Sequence, residues 1–146
     1  MDDLQAVEAA NSEFYAAIEA ADLDRMSAVW ADGSYTSTVA CVHPGWPMLR
    51  GRGEVLRSWA LIMANTPYIQ FVLTGVKAEV HGDQAVVTCE ENILTAESGT
   101  DAGFVAGGSI VTTNIFVRSG PGGTGWRLWL HHGSPVLNRM EDEDEA

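Results

Sequence analysis

The chain has little of three things that would place it in a specialised class. It carries two cysteines, 8 lysines and arginines against 20 acidic residues, and no apolar run near the ~20 residues that span a bilayer. Cys41 and Cys89 lie in apolar, strand-like runs, which predicts buried thiols in a reducing compartment rather than a disulfide. The formal net charge of −12, with no basic patch, argues against nucleic-acid binding.

The two ends of the chain give further expectations. The N-terminal sequence Met1-Asp2-Asp3-Leu4 lacks the basic and apolar regions of a signal peptide, so we expect a cytoplasmic protein without a membrane segment. Residues 139–146 contain five consecutive acids and are expected to form a disordered tail. The 146 residues leave room for a single domain, which we predict to span 1–138.

The hydrophobic pattern changes from a helical to an alternating period near residue 67. Helices are predicted over 4–21, over a short segment capped by Asp22, and over about 53–64. A strand is expected over 34–42, and four long strands over 68–80, 84–96, 105–118 and 126–132, with turn-forming segments at 97–103 and 119–125. The predicted fold class is therefore α+β, with three N-terminal helices packed on a curved antiparallel sheet.

Alternation along the strands predicts which side chains share a face of the sheet. One set mixes large apolar residues with a few polar ones, as small-molecule pockets do: Val86, Thr88, Glu90, Asn92, Ile110, Thr112, Asn114, Phe116, Leu128, Leu130 and His132. The alternative is a core whose polar groups satisfy one another. The opposite face carries Ile93, Ile115 and Trp129, and because it is also apolar we predict a homodimer through it.

Two residues are candidates for acid–base chemistry. His43 ends a strand before the rigid segment Pro44-Gly45-Trp46-Pro47, and an imidazole with its usual pKa of ~6.5 transfers protons at neutral pH; the alternative is a histidine that holds the loop. Glu90 is the carboxylate candidate, because burial in a pocket would raise its pKa, whereas its neighbour Glu91 is assigned to the outer face. The predicted ligand-binding residues are Tyr35, Trp46, Asn92, Thr112, Asn114, Phe116 and His132.

Two motifs are rejected on geometry. His131 and His132 diverge as strand neighbours and no HExxH accompanies them, so no metal is predicted. Residues 120–125 match G-x-G-x-x-G, but a strand follows where the dinucleotide fingerprint needs a helix, so no cofactor is predicted.

Four segments carry a family resemblance: residues 14–24, His43-Pro44-Gly45, Arg50-Gly51-Arg52 and His131-His132-Gly133-Ser134-Pro135. With them the chain resembles the nuclear transport factor 2-like superfamily, most of all its SnoaL-like branch. Its C-terminal segment is also similar to the association domain of calcium/calmodulin-dependent kinase II. The resemblance implies a cone-shaped α+β barrel with a deep cavity, usually paired through its sheets.

The best-known catalytic sets of the superfamily are absent. Where ketosteroid isomerases have a tyrosine on the first helix, this chain has Phe14, and the segments 33–53 and 103–138 contain no acid in place of their aspartates. The Asp-Arg-Asp set of limonene epoxide hydrolases fails for the same reason. Two functions stay open: a pocket protein that binds a small, largely apolar metabolite and acts as an isomerase, cyclase or dehydratase through His43 or Glu90, or a non-catalytic dimeric module for ligand sensing or assembly.

Overall fold

A computed structural model describes residues 2–96, 104–119 and 125–137 of the chain. Its helices are α1 (Asp3–Ala20), α2 (Leu23–Val29) and α3 (Arg52–Asn65). Its strands are β1 (Ala40–Val42), β2 (Leu49–Arg50), β3 (Ile69–His81), β4 (Gln84–Ala96), β5 (Phe104–Ser119) and β6 (Gly125–Pro135). The predicted α+β class is confirmed. The predicted tail, the turn at 97–103 and the turn residues 120–124 lie outside the described residues.

The helix ends follow from local capping chemistry. The Asp2 carboxylate accepts a hydrogen bond from the Gln5 backbone N–H at 2.8 Å, and the Gln5 side chain accepts one from the Asp2 N–H at 3.1 Å, which opens α1. Ala21 ends that helix in the left-handed conformation, at φ 51°. Asp22 caps α2 as predicted, because its side chain accepts from the Arg25 N–H at 3.1 Å.

One sheet of six strands carries the helices, in the order β2-β1-β6-β5-β4-β3. The antiparallel meander predicted for the last four strands is confirmed, while β1 pairs in parallel with β6, which was not predicted. The strand predicted over 34–42 is shorter than expected, because residues 33–35 form a 3-10 turn and the strand begins at Ala40.

The helices cover one face of the sheet, and the core lies between the two layers. Phe14 of α1 is fully buried at the centre. Its ring lies 4.8 Å from that of Tyr15, 5.5 Å from that of Trp59 and 4.8 Å from that of His131, measured between centroids. The rings of Tyr15 and Trp59 meet Phe14 edge to face, an arrangement that stabilises a core beyond the area that it buries.

The predicted face of β5 is correct, but that of β4 is wrong. Thr112 and Asn114 are fully buried beneath the helices. In the observed register Asn114 lies opposite Val87, and Thr112 lies opposite Cys89. Directly paired residues share a face, so the odd-numbered residues 85–91 point inward and the even-numbered ones point outward. An error of one residue in the alternation moves all the side chains of a strand to the other face, which is why the prediction for β4 failed.

A bulge in β6 reverses its alternation. Ile115 pairs with Leu130 and Phe116 with Leu128, so Trp129 is an extra residue between them. Leu128 is therefore buried before the bulge and His131 after it, although their residue numbers differ in parity. The prediction that His132 faces inward is wrong for this reason.

Candidate functional site

A cavity of about 350 Å³ opens between the helices and the inner face of the sheet. Its wall is mainly apolar, from Ile18, Ile62, Ile69, Phe71, Ile93 and Ile110, with Trp59 and, at the loop after β1, Pro44 and Trp46. Its polar residues are His43, Thr66, Glu91, Thr95 and His131. A volume near ~300 Å³ with a few polar groups in an apolar wall is typical of small-molecule sites. Ile93 lies in this wall, so its predicted place on the outer face is wrong.

Glu91 is the carboxyl group of the cavity. The residue is 3 % exposed, and the Tyr15 hydroxyl donates a hydrogen bond to its Oε2 at 2.6 Å. Burial raises the pKa of this carboxyl above its usual 4.5, because an apolar surrounding disfavours the ionised form. Tyr15 opposes that rise, as does the Thr112 hydroxyl, which lies near the carboxylate without completing a regular hydrogen bond. A carboxylate whose pKa is raised is a stronger base than an ordinary one, which suits it to proton transfer.

A buried network joins this carboxyl to His131. The Asn114 amide nitrogen lies 3.2 Å from the Tyr15 oxygen and 2.9 Å from Asn11 Oδ1, and its oxygen lies 2.6 Å from His131 Nδ1. Every side chain in this network is at least nine-tenths buried. Polar groups this deep persist only when they are paired, so the network holds Glu91 and His131 in fixed orientations.

His43 lies at the cavity wall, as predicted, but in a buried setting. Its Nε2 lies 2.8 Å from Ser58 Oγ, and its ring meets those of Trp46 and Trp59 edge-on at 4.9 and 4.6 Å. Burial lowers the pKa of His43 to about 4. The pKa of His131 falls to about 3, through burial and then repulsion from His43 and His132. Both rings are therefore neutral at pH 7.

Of the predicted ligand-binding residues, Trp46 lines the cavity. Thr112, Asn114 and Phe116 are buried behind its wall. There the Asn114 amide forms hydrogen bonds with His131 and Tyr15. Tyr35 lies in the 3-10 turn after α2, outside the cavity wall.

Three predicted site residues lie on the far side of the sheet. Glu90 accepts a hydrogen bond from Ser109 and pairs in register with the exposed Val111. The Asn92 amide donates to the backbone oxygen of Val72 at 2.9 Å. His132 is exposed. The inward placement of Glu90, Asn92 and His132 is therefore wrong.

The residues that sequence reasoning missed are Glu91, Tyr15, His131 and the pair Trp59–Ser58. A signal existed on α1, where Asn11 interrupts the helical pattern of apolar residues and Tyr15 follows it four residues later on the same face. No comparable signal existed for Glu91, because its face depends on the register between β4 and β5.

Within the part of the chain that the structure describes, no group of three His, Cys, Asp or Glu side chains is placed to hold a metal ion. Cys41 and Cys89 are free and buried, and burial raises the pKa of both thiols. Among the described helices, none is both long and apolar enough to cross a bilayer.

Comparisons with known proteins agree with this architecture. The model of the SnoaL-like domain family matches residues 7–138. A candidate dehydratase of the NTF2-like family from Streptomyces avermitilis is 49% identical over 93% of this chain and 97% of its own, with a TM-score of 0.82. A candidate calcium/calmodulin-dependent protein kinase type II association domain from Thiobacillus denitrificans is 33% identical over 89% of this chain and 94% of its own, with a TM-score of 0.73.

A nuclear transport factor 2 (NTF2-like) superfamily protein from Salmonella enterica shares the fold at 15% identity, over 92% of this chain and 91% of its own, with a TM-score of 0.75. Among functionally curated proteins, none matches the chain. The resemblance to the superfamily expected from the sequence is confirmed.

Proposed function

We propose, from the premise that this chain belongs to the SnoaL-like domain family, that it is an acid–base enzyme acting on a small, largely apolar metabolite. The observation that carries the proposal is Glu91, a carboxyl that is 3 % exposed and has a raised pKa in the wall of an apolar cavity. Perturbed carboxyl groups concentrate at catalytic sites, because a general base works best when its pKa lies near the operating pH.

The reaction class that fits best is the elimination of water from a β-hydroxy carbonyl compound. The Glu91 carboxylate takes the proton next to the carbonyl, and the C–H electron pair becomes the new C=C bond. The C–O bond breaks as the C=C bond forms, and the same carboxyl returns its proton to the leaving hydroxide as water, so the enzyme ends in its starting state. The apolar wall supports the proton transfer, because few competing waters surround the charged states.

Tyr15 supports this role from behind the carboxylate. Its hydroxyl donates to Oε2 at 2.6 Å, which fixes the orientation of the group and leaves Oε1 for the substrate. The identity of 49% to a candidate dehydratase favours dehydration. Isomerisation and cyclisation begin with the same proton abstraction and remain within the proposal.

The test uses a simple β-hydroxy ketone, the aldol adduct of benzaldehyde and acetone. The enzyme is expected to catalyse deuterium uptake beside the carbonyl in D₂O and to form benzalacetone, followed by NMR and by absorbance. Glu91→Gln should abolish both reactions, while the matched control Glu90→Gln, one residue away on the other face, should retain them. Equal rates for the two variants, or no reaction above buffer for the unchanged protein, would contradict the proposal.

We also propose that the chain forms a homodimer through the outer face of the sheet. Two valines of that face are well exposed: Val72 at 50%, opposite Asn92, and Val111 at 54%, opposite Glu90. Exposed apolar clusters on a sheet favour association, because pairing removes them from water. Val111→Glu should convert the dimer to monomer in sedimentation, and an unchanged mass for this variant would refute the assignment.

A further inference from the structure

The direction of the buried hydrogen bonds determines what the cavity offers to a ligand. The Tyr15 hydroxyl has one proton, which it donates to Glu91 at 2.6 Å when that carboxyl is ionised. The Tyr15 oxygen can then only accept, so the Asn114 atom 3.2 Å away must be the amide NH₂. The same NH₂ donates to Asn11 Oδ1 at 2.9 Å, which leaves the Asn114 oxygen to face His131.

This orientation fixes the tautomer of His131. Its Nδ1 lies 2.6 Å from the Asn114 oxygen, which has no proton to give, so Nδ1 carries the hydrogen. The other ring nitrogen, Nε2, carries the lone pair of the neutral ring. No described residue donates a hydrogen bond to Nε2, and His131 lies in the cavity wall.

His43 is fixed in the opposite tautomer. The Ser58 hydroxyl donates its single proton to the Val55 carbonyl at 2.6 Å, so its oxygen accepts from His43 at 2.8 Å and the hydrogen stands on Nε2. Nδ1 then carries the lone pair, and its nearest polar contact among the described residues is the weakly donating Cys41 sulfur at 3.9 Å. His43 also lies in the cavity wall.

The two histidines of the cavity wall therefore present hydrogen-bond acceptors to a ligand. To the two imidazole lone pairs the cavity adds the Glu91 carboxyl, and no lysine or arginine stands among its described wall residues. The Trp59 N–H is buried away from solvent without a partner among the described residues. An anionic ligand would meet these lone pairs without a compensating cation, inside a chain with a formal net charge of −12.

We infer that the cavity selects an uncharged, ring-sized alcohol or phenol, whose hydroxyl donates to the lone pair of His131 Nε2. This inference rests on the same cavity as the proposed function and names the class of its ligand. A hydroxyl donates to the free lone pair of His131, whereas a methyl ether leaves that lone pair buried and unpaired. Asn114 and Asn11 act as positioning residues, since they set which nitrogen of His131 faces the ligand.

Binding of three naphthalene probes tests the ligand class without any turnover. β-Naphthol is expected to bind about tenfold more tightly than its methyl ether at pH 7, the cost of one unmade buried hydrogen bond, and β-naphthoate more weakly still. His131→Phe should remove the preference for naphthol over the ether, while the matched control His132→Phe should retain it. Equal affinity for naphthol and its ether, tighter binding of naphthoate, or no binding of any probe would overturn the inference.

A second measurement does not depend on a variant that folds. Long-range ¹H–¹⁵N NMR of the unchanged protein should place the ring proton on Nδ1 for His131 and on Nε2 for His43. A proton on Nε2 of His131 would overturn the inference, since His131 would then present a donor to the ligand instead of a lone pair. If the probes discriminate as expected but the β-hydroxy ketone is not turned over, the ligand class stands and the proposed reaction fails. If the ketone is turned over but the probes do not discriminate, the proposed reaction stands and the ligand class fails.

Discussion

The two neutral, buried histidines predict how the stability of the fold depends on acid. The perturbation is His43→Gln, whose amide NH₂ can replace the imidazole Nε2–H as donor to Ser58 but cannot take up a proton. In the folded protein burial lowers the pKa of His43 from 6.5 to about 4. A depressed pKa contributes stability that is fully present above pH 6.5 and is lost as the pH falls towards 4.

The magnitude follows from the two pKa values. At pH 5 almost every unfolded chain carries a proton on His43, whereas only about a tenth of the folded chains do. Linkage then makes the free energy of unfolding about 2 kcal/mol lower at pH 5 than at pH 7 through His43 alone. Glu91 works in the opposite direction, because its raised pKa favours the folded state at low pH, so the wild-type slope by itself is not diagnostic.

Urea denaturation of wild type and His43→Gln at pH 7 and pH 5 gives the loss in free energy of unfolding for each protein. The two losses are then compared. The variant should lose about 2 kcal/mol less than wild type over this interval. His81→Gln is the matched control for the substitution itself, because that imidazole is well exposed on the surface. Equal losses for wild type and His43→Gln would refute the buried, neutral state of His43.

Two further variants test the framework of the site. Tyr15→Phe removes the hydrogen bond that stabilises the Glu91 carboxylate, so the pKa of Glu91 should rise further. The pH–rate profile for the β-hydroxy ketone should therefore move to higher pH, and an unchanged profile would contradict that contact. Arg52→Ala should cost about 2 kcal/mol in thermal or urea denaturation, because the guanidinium donates to the Trp30 carbonyl at 2.7 Å and to both oxygens of Ser27. The exposed control Arg57→Ala should cost no more than about 0.5 kcal/mol, and equal losses for the two variants would contradict the role of Arg52.

The order of elements was predictable because it depends on local signals. Helical spacing, the Asp22 cap and the turn chemistry around residues 81–84 are each contained in a few consecutive residues. Alternation within a strand is equally local, and it correctly grouped Thr112 with Asn114 on the buried face. The cavity position of His43 followed from its place at a strand end before a proline.

The relation between neighbouring strands was not predictable, because register depends on pairing across the sheet. Both faces of β4 carry apolar residues, so hydrophobicity did not distinguish Glu90 from Glu91, and only the pairing of Asn114 with Val87 decides between them. The bulge at Trp129 has the same consequence in β6, where it turns His131 inward. The wrong face assigned to β4 therefore explains the choice of Glu90 over Glu91, and the bulge in β6 explains the choice of His132 over His131.

The pKa of Glu91 itself decides whether the apolar cavity holds a proton-transferring carboxyl. Carbon-13 NMR of the side-chain carboxyls, with the Glu91 signal assigned by its absence in Glu91→Gln, gives that value without knowledge of the substrate. Glu91 should titrate clearly above the usual 4.5, because burial outweighs the hydrogen bond from Tyr15. A Glu91 carboxyl that titrates at or below 4.5 would contradict this prediction.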